Sequence, residues 1–172
     1  MLYDSAMDGL VSNKTQTKGL LSQLEPVSLD EMKALIDESN KAFLAPVSNP
    51  SQTTKVLIES LSGVHEFTPL GYKLDGVLVS YIIGLGHKNN ETISIGPMYV
   101  SRAHQGCGLG HRQVQDFISI AKKQGYKKLF TKTWLGNKGS RIIFESNGFV
   151  ESGITPHDRV GGDSTITYLL HF

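Results

Sequence analysis

Three glycines at alternate positions, in Gln105-Gly106-Cys107-Gly108-Leu109-Gly110, stand between a stretch that reads as a β-strand and one with helical periodicity. That arrangement suits the holding of a pyrophosphate. Glycine lets the main chain come close to phosphate oxygens and take positive φ, so that successive N–H groups turn inward. A helix entrance adds unpaired donors and about half a positive charge. Cys107, flanked by two of the glycines, contributes its backbone N–H on this reading. A P-loop would need Lys-Ser or Lys-Thr after its last glycine, where His111-Arg112 stand. A dinucleotide fingerprint would need Gly-x-Gly-x-x-Gly near the chain start, and the spacing here is Gly-x-Gly-x-Gly after the middle. A glycine-rich turn needed only for packing is the plainer alternative.

The strand ahead of the loop carries a second signal. In Thr92–Val100 the aliphatic residues occupy odd positions at Ile93 and Ile95, then even positions at Met98 and Val100. A one-residue phase change inside a strand marks a β-bulge, and Gly96-Pro97 sits at the switch. Proline has no N–H for a ladder, so it belongs where pairing is already broken. A bulge there would splay this strand from the one expected over Lys128–Trp134 and leave main-chain groups facing a cleft. An ordinary edge irregularity is the alternative.

Thirty residues on, Asn137-x-x-Ser140-x-x-x-Phe144-x-x-x-Gly148-Phe149 follows. With the glycine loop it resembles the two-part signature of the GNAT acetyltransferases: Gln/Arg-x-x-Gly-x-Gly/Ala, then Asn-x-x-Ala-x-x-x-Tyr-x-x-x-Gly-Phe. Val100 stands where that family's cofactor strand usually ends in valine. The resemblance is strong over residues 92–150, and the element order extends it over 20–172. It implies an α+β, GNAT-like fold: a mixed, mostly antiparallel central sheet of about seven strands, flanked by four helices and splayed at a β-bulge. It also implies acetyl-CoA (coenzyme A) as cosubstrate, and acetyl transfer to a primary amine, on a small molecule or a protein, by direct attack in a ternary complex. Met98, Tyr99 and Val100 would line the pantetheine, and the backbone N–H of Val100 or Met98 would serve the oxyanion. Gln105, Gly106, Cys107, Gly108, Leu109 and Gly110 would hold the pyrophosphate. Asn137 would lie beside the pantetheine, or else serve as the N-cap of the helix it precedes.

The signature departs from the family at Phe144, where the usual tyrosine is a general acid. Phenylalanine has no proton to give, so its role is packing against the thioester end. Tyr99, Tyr168 or water would have to supply the proton. A coenzyme A thiol with a pKa near that of cysteine, about 8.5, leaves tolerably without help. For a general base, Glu91 and His87 are the residues in range. The loop Thr155–Ser164, with His157, Asp158, Arg159 and Asp163, could close over a cationic substrate or be an ordinary polar connection. The rival reading is a non-catalytic acyl-CoA-binding regulatory module. A third, a nucleotide-phosphate binder, predicts competition between ATP and acetyl-CoA.

These residues need elements to hold them. Ser28-Leu29-Asp30-Glu31 reads as a capping box before a helix over about 29–42, with Met32, Leu35, Ile36 and Phe43 recurring near helical spacing. A short strand is expected at Leu20, Leu21 and Leu24. A second helix should follow Asn49-Pro50, with Val56, Leu57 and Leu61 inward and Gly63 as its stop. Asp75-Gly76 is a two-residue hairpin turn joining Tyr72–Leu74 to Val77–Leu85, and Lys88–Glu91 makes the next turn. After the glycine loop, Val114, Phe117, Ile118 and Ala121 form a helical stripe that Gly125 ends. Lys128–Trp134 reads as a strand, Lys138–Asn147 as a helix, and 149–154 and 165–171 as two closing strands.

The chain of 172 residues has 39% hydrophobic and 19% charged residues and a formal charge of +1. Length and composition suit one soluble domain over residues 18–172 behind a flexible tail of residues 1–17. Interleaved charge argues against a nucleic-acid partner. No apolar run approaches the roughly 20 residues of a membrane span, and the start lacks a secretory pattern, so a cytoplasmic protein without a membrane partner is expected. A single cysteine excludes an internal disulfide and a cysteine-rich zinc site, and no metal is expected. An exposed sheet edge would permit a homodimer.

Overall fold

A computed structural model of the chain describes residues 19–42, 58, 61, 66–87 and 91–172. Seven strands form one sheet in the order β1-β2-β3-β4-β5-β7-β6. They are β1 (Glu25–Pro26), β2 (Glu66–Leu74), β3 (Val77–His87), β4 (Thr92–Val100), β5 (Lys128–Trp134), β6 (Val150–Thr155) and β7 (Thr165–His171). Every neighbouring pair is antiparallel except β4 with β5. The helices among the described residues are α1 (Leu29–Ala42), α2 (Leu109–Lys123) and α3 (Lys138–Ser146), with one 3-10 turn at Arg102–His104.

Local chemistry sets the boundaries. Ser28 N–H donates to Glu31 Oε2 at 2.8 Å while Glu31 N–H donates to Ser28 Oγ at 3.2 Å, so the capping box closes in both directions. Asp75 and Gly76 both take positive φ, 50° and 82°, which matches the right-handed twist of the flanking strands. Gly125, at φ 87°, follows the end of α2. The short first strand falls later than expected. It forms at Glu25–Pro26, while Leu21 makes a single bridge to Leu74 and Leu20 is exposed. On the other side of β2 the ladder with β3 shifts between Tyr72 and Lys73, where β3 carries one extra residue, Val79.

The described helices number three rather than the four expected. Of the stretch assigned to the second helix only Ile58 and Leu61 are described, and Ile58 is buried in the α1 cluster. The first 18 residues, Phe43 and the turn residues 88–90 lie outside the described residues.

The sheet has a core on each face. Val27, Met32, Leu35 and Ile36 pack with Tyr81, Ile83, Leu85 and Tyr99 on the α1 face. Val114, Phe117 and Ala121 of α2 and Phe144 of α3 pack with Ile82, Ile93, Ile95, Leu129, Ile166 and Tyr168 on the other. Ile93 and Ile95 thus face α2 and α3, whereas Tyr99 faces α1, as the phase change in β4 requires.

One core residue is out of keeping. Gln113 of α2 has no exposure, and neither of its amide atoms has a hydrogen-bond partner among the described residues; the Ser80 hydroxyl of β3 is in the same condition. A desolvated amide without partners costs about 1–3 kcal/mol. Gln113→Leu keeps most of the volume and removes that penalty, so denaturant unfolding should show a gain of about 1–2 kcal/mol. A loss would mean that the amide is satisfied.

Glu31 gives a pH-dependent signature. Hydrogen bonds from Lys73, then from the Ser28 backbone and side chain, lower its pKa from 4.5 to about 2. A carboxylate depressed by folding adds stability that is complete above the unfolded value and is lost as pH falls through the folded one. The stability difference between the native chain and Glu31→Gln should therefore be constant above pH 4.5 and shrink toward pH 2 in thermal melts.

Candidate active site

The bulge decides the shape of the centre of the sheet. Met98 pairs with Ile82 and Ile95 with Gly84, so β4 spends one residue more than β3 across Gly96-Pro97. On its other side β4 pairs with β5 only from Thr92↔Lys128 to Ile95↔Thr131. Thr131 Oγ1 donates to Ile95 O at 3.3 Å and ties the last rung. Beyond it Gly96–Val100 and Lys132–Trp134 diverge as the two arms of a fork.

Which main-chain groups face the fork follows from strand alternation. Ser101 N–H donates to Val79 O at 2.9 Å, so the odd residues at this end of β4 are bonded to β3. Met98 and Val100 then point their N–H and C=O groups the other way, into the fork. The Val100 carbonyl is met there by Gln105 Nε2 at 2.8 Å, which folds the glycine loop back over the strand end.

That loop enters α2 with Gly106 and Gly108 at φ 78° and 84°. Gly108 is the N-cap and supplies no side-chain bond, and Arg112 N–H is the first to reach a carbonyl one turn back, Gly108 O at 3.1 Å. The helix therefore offers no acceptor to the N–H groups of Leu109, Gly110 and His111. The Leu109 side chain is buried with Tyr72 and Val79 and anchors the entrance. A Cβ at Gly110 would come within 3.1 Å of Ile143 Cδ1, so glycine lets α2 and α3 approach. Cys107, between Gly106 and Gly108, is exposed, with its thiol 2.8 Å from His104 O.

The remaining candidates separate. Asn137 is the N-cap of α3: Oδ1 accepts from Ser140 N–H at 3.2 Å, and Nδ2 donates to Ser140 Oγ at 2.8 Å and to Thr133 Oγ1 at 3.0 Å. It thereby ties α3 to the free arm of β5. Phe144 is 2% exposed, with ring centroids 5.5 Å from Phe149 and 5.8 Å from Tyr168. The Tyr168 hydroxyl donates to Glu145 at 2.7 Å and accepts from Arg141 Nε at 3.2 Å, and burial, then the Glu145 bond, raises its pKa. The Tyr99 side chain turns to α1, where its hydroxyl donates to Glu38 Oε1 at 3.2 Å; burial, then Glu38, raises its pKa too. Glu91 and His87 stand at the closed end of the fork: His87 pairs with Thr92, and Glu91 is exposed with its carboxylate 3.8 Å from Lys127.

Glu38 is a neighbour that sequence reading missed. Its Oε1 also accepts the Arg102 N–H at 2.7 Å, so one carboxylate joins α1 to the strand end and to the start of the glycine loop. In the sequence it is only an acidic residue toward the end of an amphipathic helix, which signals nothing by itself. The loop after β6 is equally built. His157 Nδ1 lies 2.8 Å from Gly162 O, Asp158 takes the N–H and hydroxyl of Thr165 at 2.9 and 2.8 Å, and Asp163 takes Gly136 N–H at 3.3 Å. Among the described residues no three His, Cys, Asp or Glu side chains gather as metal ligands, and no helix is long and apolar enough to cross a membrane.

A seven-stranded mixed sheet forked beside a glycine loop, with helices on both faces, is the architecture of a GNAT-type acetyltransferase. Residues 32–149 match the Acetyltransferase (GNAT) family, and the chain belongs to it. Among solved structures it is similar in fold to an N-acetyltransferase from Staphylococcus aureus Mu50, with TM-score 0.73 and 16% identity over 88% of this chain and 98% of that one. The ribosomal-protein-S18-alanine N-acetyltransferase from Escherichia coli gives 0.71 and 17% over 88% and 94%. The ribosomal L7/L12 alpha-N-protein acetyltransferase RimL, in complex with coenzyme A, gives 0.71 and 16% over 87% and 93%. No curated protein sequence matches the chain.

Asn137→Ala removes the cap of α3 and its link to Thr133. Unfolding should become easier by about 1 kcal/mol, the usual cost of a lost N-cap, as read by chemical denaturation. An unchanged midpoint would show that the cap is idle.

Proposed function

We propose that the protein is an N-acetyltransferase that moves the acetyl group of acetyl-CoA to a primary amine by direct attack in a ternary complex. The observation that carries this reading is the alignment of the open main-chain edge at Met98 and Val100 with the unpaired helix entrance at Leu109–His111. One offers strand-like pairing to an amide-bearing arm, and the other offers N–H groups and a dipole to linked phosphates. RimL, similar in fold, is itself a coenzyme A complex.

In this reading the amides of Gly106–Gly110 hold the pyrophosphate, with Gln105 fixing the loop to Val100. Met98 and Val100 pair with the pantetheine, and the N–H of one of them donates to the thioester oxygen as it gains charge. The amine nitrogen forms the new C–N bond, the C–S bond breaks, and the proton lost from nitrogen neutralises the thiolate. Phe144 cannot deliver that proton, and the Tyr168 and Tyr99 hydroxyls are bonded to Glu145 and Glu38. A thiol of pKa about 8.5 and an α-amine of pKa about 8 exchange it through water. The absence of a hydroxyl at Phe144 also favours the second reading, a non-catalytic acyl-CoA-binding regulatory module.

Calorimetric titration with acetyl-CoA, followed by release of free coenzyme A against a panel of amines, separates the two. Binding with release for some amine is expected, and binding with no release for any amine supports the module. Gly108→Val should weaken acetyl-CoA binding at least tenfold, by straining a left-handed φ and putting a side chain over the helix entrance. Unchanged affinity would remove the glycine loop from the site.

A further inference from the structure

Two consecutive residues of α1 make polar contacts with β3 and β4 along the open arm of the fork. Ser39, fully buried, donates its hydroxyl to Ile36 O at 2.8 Å and lies 3.0 Å from the Tyr81 hydroxyl. Tyr81 is the register partner of Tyr99, and their ring centroids are 6.4 Å apart. Glu38, half-buried, accepts the Tyr99 hydroxyl at 3.2 Å and the Arg102 N–H at 2.7 Å, both on the same oxygen, Oε1.

Helix stability does not account for Glu38. It stands toward the C-terminal end of α1, which closes at Ala42, and a carboxylate gains nothing from the negative end of the helix dipole. The apolar stripe of Met32, Leu35 and Ile36 already seats the helix on the sheet. What the carboxylate does is bracket Val100. One of its bonds falls on Tyr99, just before, and the other on Arg102, just beyond Ser101. Between them Ser101 N–H is bonded to Val79 O, and Val100 O takes Gln105 Nε2. The Val100 N–H, which points into the fork, therefore lies inside a segment whose two ends are pinned to one oxygen. The bond from Arg102, at 2.7 Å, has the length of a charge-assisted hydrogen bond.

We infer that Glu38 is a positioning residue for acetyl transfer, holding Tyr99–Arg102 so that the Val100 N–H stays aimed at the thioester oxygen. The inference rests on the transferase reading above. Glu38 acts through the strand end and not by touching the thioester or the amine. A donor moved by about 1 Å costs up to about a hundredfold in rate. Because the charge on the oxygen develops only in the transition state, that loss falls on kcat rather than on KM.

The test uses the full chain, acetyl-CoA and whichever amine of the panel gives the fastest release of coenzyme A. Glu38→Ala should lower kcat about tenfold or more, with both KM values within about threefold of native. Glu38→Gln keeps an acceptor oxygen in the same place and should recover kcat to within about threefold. Ser28→Ala removes the cap at the other end of α1 and loosens the same helix, yet should keep kcat within about twofold. Tyr99→Phe should lower kcat in the native chain and add little to Glu38→Ala, since both break one contact. Native kcat in Glu38→Ala, a loss that Ser28→Ala shares, or a loss that glutamine does not recover overturns the inference and leaves the transferase standing. Acetyl-CoA binding without release for any amine overturns both. If Glu38→Ala does not fold, Tyr99→Phe decides: a lower kcat at constant KM supports the inference, and an unchanged kcat overturns it.

Discussion

One extra residue in β4 governs this molecule. Between Met98 and Ile95 the strand advances three positions while β3 advances two, from Ile82 to Gly84. Because side chains alternate with a period of two, this shift carries Ile93 and Ile95 to the α2 face and Tyr99 to the α1 face, and both cores depend on it. It also bends the strand away from β5. Two arms of backbone are left without each other, and a sheet interior that would otherwise be closed becomes a cleft with hydrogen-bonding walls.

The rest of the site is arranged around that opening. Gln105 returns the loop to Val100, Glu38 ties the same strand end to α1, and Asn137 ties the opposite arm to α3. Each tie joins a main-chain or hydroxyl group at the edge of the fork to an element packed on one of the cores. Both arms of the fork are therefore tied to the elements beside them. The loop after β6 is fixed by bonds of its own, and its acidic residues are spent on keeping it in place. Such preorganisation is what a site needs if a bound ligand is to be held in one pose.

Much of this was legible in the residues. The bulge showed as a change of aliphatic phase around Gly96-Pro97, the capping box as Ser28 and Glu31 at their spacing, and the hairpin as Asp75-Gly76. The glycine loop and the Asn137–Phe149 motif marked the family. Each of these is a local pattern, in which backbone geometry and side-chain type within a few positions determine the outcome. The first strand was misplaced by a few residues because Glu25 and Pro26 carry no strand propensity; their pairing with Leu70 and Gly71 comes from β2.

What the chain order could not convey was which distant side chains would meet. Glu38 with Tyr99 and Arg102, Arg159 with Trp134, and Tyr168 with Glu145 join residues from separate elements, and nothing in their spacing announces them. The bond from Asn137, the cap of α3, to Thr133 likewise joins two elements in space. Sequence by itself determined the two-part motif, the bulge and hence the fork, because these depend on backbone conformation dictated locally. Which charged side chains meet was decided only by tertiary structure, because they arrive from α1, β5 and the β6–β7 loop and find partners only when packing brings those elements together.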